Sequence, residues 1–319
     1  MHDFHTHFIP SDVSTWLKDH RDVVKAKWRQ KEESKNEFLV VNGKWGFELK
    51  PTFIDLAQYQ EAQEQVGVTH SMLSPIPQLF MYDTDAELTA DISKVYNDSL
   101  VQLSKAFPDA ISALGTVPLQ TPEQAARILQ DAMHNGLKGV IIGPGLPGHM
   151  LSDDFFIPFF EEANRLNAIV FIHPLLAEDP RLKRRMMPNL IGVPWETTVC
   201  ATDLLLSGFI DRYPNIKVLL AHGGGFLPYQ LGRLDKGFEQ WEAVSAQLQA
   251  PPSEYAKRFW YDTVLWSEDS IEFLTKTVGE DRVVPGSDFP FDLCAWPPKI
   301  GNDKGIHSLL ASADSINLK

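Results

Sequence analysis

Short apolar, β-branched runs alternate along the chain with longer stretches of helical periodicity. Eight such runs lie at residues 3–5, 71–74, 111–115, 139–142, 169–173, 218–222, 259–262 and 283–288. A strand buried on both faces reads as a continuous apolar run, and such runs separated by amphipathic helices are the pattern of repeated βα units around a parallel sheet. Eight units predict an α/β fold of the TIM type, a closed (β/α)8 barrel. The helices are legible from their ends. Thr121, Pro122 and Glu123 supply a cap and a first-turn proline for a helix through residue 135, which Gly136 stops. The same grammar recurs over residues 154–166.

Residues 11–51 break this rhythm. A charged run at 25–35 reads as a solvated helix face, and Asn42-Gly43, just ahead of Lys44 and Trp45, reads as a two-residue hairpin turn. The segment is expected to be an insertion after the first strand, a helix plus a β-hairpin flap over the barrel mouth. The whole of residues 1–319 is then a single domain with one embellishment.

Composition narrows the function classes. The chain holds 29 lysine and arginine residues against 42 aspartate and glutamate, a formal charge of −13, which argues against a nucleic-acid surface. No apolar run approaches the roughly 20 residues that span a bilayer, and the N-terminus lacks a basic-then-apolar signal pattern, so no membrane partner and a cytoplasmic location are expected. Only two cysteines, Cys200 and Cys294, are present, too few for a disulfide framework or a cysteine-based zinc site. A metal here must use histidine and carboxylate.

In a barrel of this type the chemistry sits at the C-terminal ends of the strands. The first run ends in His5-Thr6-His7, and residues two apart on a strand face the same way, so both imidazoles can reach one ion. The fifth run ends in His173, the sixth in His222 and the eighth in Asp288. Any one of these alone reads as readily as a hydrogen-bonded structural residue; the combination carries the inference. Three imidazoles and a carboxylate suit zinc or another late first-row divalent ion, and a fourth histidine is then available as a general acid or base near neutral pH.

The motifs His5-x-His7 with Phe8-Ile9-Pro10, Phe171-Ile172-His173-Pro174, Pro194-x-Glu196-Thr197-Thr198, Ala221-His222 with three glycines, Gly232-Arg233 and Gly286-Ser287-Asp288-Phe289-Pro290-Phe291 occur in one order from the first residues to 291. Together they resemble the amidohydrolase superfamily, and within it the branch of metal-dependent non-oxidative decarboxylases typified by 2-amino-3-carboxymuconate 6-semialdehyde decarboxylase. The resemblance implies one Zn2+ per subunit, with Mn2+ or Co2+ as alternatives, held by His5, His7, His173 and Asp288. It implies His222 as the acid/base residue. Arg233 becomes a substrate-carboxylate contact that reaches a neighbouring subunit's site, hence a homodimer. Independently, the fourth run ends at 142–145 without a lysine or glutamate to bridge a second ion.

Departures from that branch bear on the substrate. Phe47 stands where the branch has a hairpin arginine, with Lys50 nearby as a substitute cation, and Trp195 and Asn189 also differ from its pattern. Trp195, Phe289, Phe291 and Trp296 are candidates for an apolar wall against a planar acid, each with ordinary core packing as its alternative. Glu196 reads as a carboxylate that orients a ligating histidine. The run Gly223-Gly224-Gly225 lacks the lysine and spacing of a phosphate loop and reads as backbone room for substrate. The expected activity is carbon–carbon lysis, releasing CO2 from an unsaturated or aromatic carboxylic acid such as a carboxymuconate semialdehyde or hydroxybenzoate, with Asp288 as ligand and second proton carrier. The rival is metal-dependent hydrolysis of an amide, lactone or ester, because the same ligands activate water. A catalytically silent binding protein is disfavoured by the intact His5, His7, His173, His222 and Asp288.

Overall fold

All eight apolar runs form strands, because their β-branched and aromatic side chains fill a surface buried on both faces. The structure is a computed structural model that describes residues 1–30, 34–43, 46–299 and 303–310. The described chain falls into two compact units, one of residues 1–141 with 286–299 and the other of residues 142–285 with 303–310.

In the first unit β1 (His2–His7) pairs in parallel with β2 (His70–Ser74), and β2 with β3 (Ile111–Ala113). Thr6 extends this order through a parallel bridge to Phe289, and Gly115 through one to Val140 in β4 (Gly139–Ile142). The helix Pro122–His134 buries Ala125, Ile128, Leu129 and Ala132, an apolar stripe at helical spacing, and Gly136 follows it at φ 117°. Thr121 stands at the N-cap without capping the backbone, since its hydroxyl is engaged by the Gln124 side chain at 3.0 Å.

Residues 11–51 contain the helix Ser11–Asp19 and an antiparallel sheet of Lys27–Gln30, Glu37–Val40 and Phe47–Glu48. Val13, Leu17, Leu39 and Phe47 enter one hydrophobic cluster with Leu73 of β2 and Tyr96, so this segment completes the core of its unit. The charged run is not a helix where it is described. Lys27 and Arg29 are exposed and Trp28 is half-buried opposite Leu39, a period of two that makes a polar edge strand. Leu39 pairs with Phe47, and between them Asn42 and Gly43 adopt the left-handed φ values, 54° and 68°, that an Asn-Gly turn uses. The Asn42 amide donates to Thr84 Oγ1 at 2.7 Å. Lys44 and Trp45, and residues 31–33 of the charged run, lie outside the described residues.

The second unit orders β5 (Ile169–Ile172), β6 (Lys217–Leu220), β7 (Trp260–Asp262) and β8 (Val283–Val284) in parallel. His173, His222 and Asp288 thus follow their strands instead of ending them, which places them on the loops where function concentrates. No helix among the described residues is long and apolar enough to cross a membrane.

Asn97, on the helix Ala86–Ala106, ties that helix to the loop after β3. Its amide donates to the Thr116 carbonyl at 3.0 Å and accepts from the Thr116 amide at 2.8 Å, all of it buried. Asn97→Ala strands two buried backbone groups and is expected to lower unfolding free energy by about 2–4 kcal/mol, at roughly 1–3 kcal/mol per unsatisfied group. Urea denaturation measures this; a loss under about 0.5 kcal/mol, the scale of a neutral surface change, would show that the amide is dispensable.

Candidate active site

In the first unit β1 carries two of the expected ligands, and its pairing shifts by one residue between Asp3 and Thr6. Such an irregularity re-aims side chains. Here His5 Nε2 stands 3.2 Å from His7 Nε2, and Asp288 Oδ1 lies 3.2 Å from the first and 3.0 Å from the second. Around an ion with bonds of about 2.1 Å, neighbouring donors stand about 3.0 Å apart at right angles and about 3.4 Å apart at the tetrahedral angle. The three edges fall in that range. His7 Nδ1 contacts the Pro75 carbonyl at 3.0 Å, so that nitrogen carries the proton and Nε2 presents its lone pair. Burial holds His7 below the usual imidazole range, against the pull of Asp288, and a ligating imidazole must be neutral. The donor set therefore fits a divalent transition metal.

Asp288 reaches this position from a left-handed backbone, φ 64°, fixed by its amide donating to the His5 carbonyl at 2.8 Å. The neighbouring Ser287 is clamped to Asp3. Asp3 Oδ1 accepts from the Ser287 amide at 3.1 Å and Asp3 Oδ2 from the Ser287 hydroxyl at 2.5 Å, while Asp3 Oδ1 also accepts from the His5 amide at 3.3 Å. Burial pushes the Asp3 carboxyl up to about 7, against these contacts, which favour its charged form.

In the second unit His173 and His222 meet, their rings edge to face with centroids 5.2 Å apart. His173 Nδ1 contacts the Pro174 carbonyl at 2.9 Å, which again leaves the lone pair on Nε2. His222 adopts φ 54°, and Gly223, Gly224 and Gly225 continue at 60°, 77° and 64°. The glycines do not make room for substrate. A Cβ at Gly223 would meet Leu265 at 2.7 Å, one at Gly224 would meet Tyr261 at 2.7 Å, and one at Gly225 would run into the Pro194 carbonyl, so the protein's own atoms fill that space. The turn is tied to β7, where the buried Asp262 accepts the amides of His222 and Gly223, each at 3.0 Å.

The candidate substrate contacts are placed differently. Phe47 is buried among Phe53 and Phe291, at ring distances of 5.1 and 5.8 Å, and Phe291 also meets the His7 ring edge-on at 5.2 Å. Phe289 and Trp296 stack on each other at 4.2 Å. Lys50 is spent within the first unit, where it donates to the Pro290 carbonyl at 3.0 Å and pairs with Asp292 at 2.7 Å. In the second unit Trp195 is half-buried on the helix Val193–Leu206, with Arg181 over its ring at 5.9 Å. Glu196, on the same helix, is half-buried, and burial raises its carboxyl. Arg233 is exposed on the helix Leu227–Gln240. Sequence reasoning missed Asp3, Ser287 and Asp262. The signal available was a single acid inside an otherwise apolar strand run, a position where a carboxylate has to be holding something.

The chain has relatives among known proteins. The amidohydrolase family model matches residues 2–308. The chain is 30% identical over 305 residues to a 2-amino-3-carboxymuconate-6-semialdehyde decarboxylase of Dictyostelium discoideum, covering 91% of this chain and 82% of that one. It is 27% identical over 278 residues to a gamma-resorcylate decarboxylase of Rhizobium radiobacter, covering 79% and 82%. Its fold is similar to that of a 5-carboxyvanillate decarboxylase of Novosphingobium aromaticivorans solved with manganese, with a TM-score of 0.77 at 22% identity, covering 100% of this chain and 90% of the other.

Proposed function

The chain belongs to the amidohydrolase family, and from that premise we propose that it is a metal-dependent non-oxidative decarboxylase that releases CO2 from an unsaturated or aromatic carboxylic acid. The observation that carries the reading is the triangle of His5 Nε2, His7 Nε2 and Asp288 Oδ1, with its edges of 3.0–3.2 Å. The relatives named above are decarboxylases of such acids. On this reading the eight strands close into one (β/α)8 barrel over residues 1–319, with the 11–51 segment over its mouth.

We assign one divalent ion to His5, His7, His173 and Asp288. That assignment leaves the His222 imidazole for proton transfer. Zinc is the first choice on donor chemistry, with manganese or cobalt as alternatives. When bound, the ion supplies a Lewis acid that polarises a phenol, enol or carboxylate oxygen. His222 delivers a proton to the unsaturated carbon that bears the carboxylate. The carbon–carbon bond then breaks, its electron pair restores the unsaturation as CO2 departs, and His222 regains a proton from solvent. Asp288 is assigned as a ligand and as a second proton carrier. Phe291, edge-on to His7 with Phe47 behind it, is assigned as an apolar contact for a planar acid, as is Trp195 of the second unit.

Arg233 is assigned to the carboxylate of substrate in a neighbouring copy, in a homodimer. Its guanidinium is shaped for bidentate carboxylate contact. Exposed apolar side chains of this unit, Tyr229 at 81% exposure foremost, support a contact with a second copy. Both cysteines are free, which supports the cytoplasm as its compartment.

The test is CO2 release by zinc-loaded and manganese-loaded protein over carboxymuconate semialdehydes and hydroxybenzoates, with products identified by NMR and solution mass recorded. One CO2 for each acid consumed, abolished by a chelator and restored by metal, is expected from a dimer. A new carboxylate from lactones or amides, with no gas from any acid, would replace this reading with hydrolysis.

A further inference from the structure

Asp262 lies on β7 and is wholly buried, yet it ligates nothing in the proposed site. Its two carboxylate oxygens face the start of the His222 turn. Oδ2 accepts the His222 amide and Oδ1 accepts the Gly223 amide, each at 3.0 Å, and Oδ1 also accepts the amide of Val264 at 3.0 Å. Successive backbone N–H groups in a turn can point to one side and form a concave anion nest. His222 at φ 54° and Gly223 at φ 60° are such a pair, and Asp262 is the anion within it.

A left-handed backbone costs a non-glycine residue roughly 1–2 kcal/mol, so histidine adopts it only where the surroundings impose it. β7 is the strand beside β6, pairing Leu219 with Trp260 and Leu220 with Tyr261, and this register brings Asp262 level with the backbone that leaves β6 for His222. The three glycines supply a backbone able to turn, but they do not fix where the turn points.

We infer that Asp262 is the positioning residue of the proposed proton-transfer step: by binding the His222 and Gly223 amides it holds the His222 backbone left-handed and its imidazole against His173. This rests on the assignment of His222 as the acid/base residue. A misplacement of about 1 Å costs on the order of a hundredfold in rate, and an amide in place of the carboxylate turns an N–H group toward at least one of the three amide donors.

Asp262→Asn is therefore expected to keep its metal content and its KM within about twofold and to lose kcat by about tenfold to a hundredfold. In the His222→Ala background the same substitution should change the residual rate by less than about twofold, because two residues acting through one group are not additive. A residue that merely stabilised the fold would lower both backgrounds alike, and that result overturns the proposal, as does an unchanged kcat in a folded Asp262→Asn protein. Amide hydrogen exchange of the unaltered protein needs no variant. Slow exchange at His222 and Gly223 supports the nest, and rapid exchange at both overturns it even if Asp262→Asn does not fold. Should His222→Ala retain full turnover, the acid/base assignment fails instead, while the exchange result still reads the nest by itself.

Discussion

His222→Ala retains its metal and loses turnover by about a hundredfold to ten-thousandfold, the usual contribution of a positioned general acid or base. His222 is assigned to proton transfer and not to the metal, and its backbone is held by Asp262 whether or not an imidazole is present. Alanine at φ 54° adds little strain beyond what histidine already bears there. The measurements are metal content by elemental analysis and CO2 release in single turnover, so that product departure does not mask the chemical step. Metal lost together with activity would move His222 among the ligands and leave the proton donor to be found elsewhere.

Asp288→Ala is the more damaging change for the metal. Asp288 Oδ1 is the only anionic corner of the triangle and touches both imidazoles, at 3.0 and 3.2 Å. Removing one partner of a buried charged contact costs about 3–5 kcal/mol, so metal affinity should fall at least about a hundredfold and activity at stoichiometric metal should vanish. Asp288→Asn is the companion variant, since asparagine tolerates the left-handed φ of 64° and keeps one oxygen at the corner. It should bind metal more weakly than the unaltered protein and more tightly than the alanine variant. Unchanged metal content in Asp288→Ala, measured after dialysis against a competing chelator, would remove Asp288 from the ligands.

The strands were legible because burial on both faces leaves an unbroken apolar run, which competes with few other readings. The first half of the site was legible for a related reason: His5 and His7 sit two apart in such a run, where polarity is costly without a task. The residues that hold the site were harder to see. Asp3 and Asp262 each read as one acid in a strand, and their partners, the amides of Ser287, His222 and Gly223, belong to the backbone and have no signature of their own. The charged run misled because a short edge strand has too few residues to set a period of two against one of 3.6. The three glycines misled for the opposite reason. Missing side chains are equally compatible with a ligand's approach and with Leu265, Tyr261 and the Pro194 carbonyl lying close by.

The contact between His7 and Asp288 spans 281 residues, and that between Asp3 and Ser287 spans 284. A chain leaving the ribosome therefore exposes its first two imidazoles long before the carboxylate that completes their triangle has been synthesised. Until then the nascent chain offers an ion the imidazoles of the assigned set without their anionic partner. Metal cannot act as an early template for this half of the molecule; its capture reports the last long-range closure, and closures of such separation come late in folding.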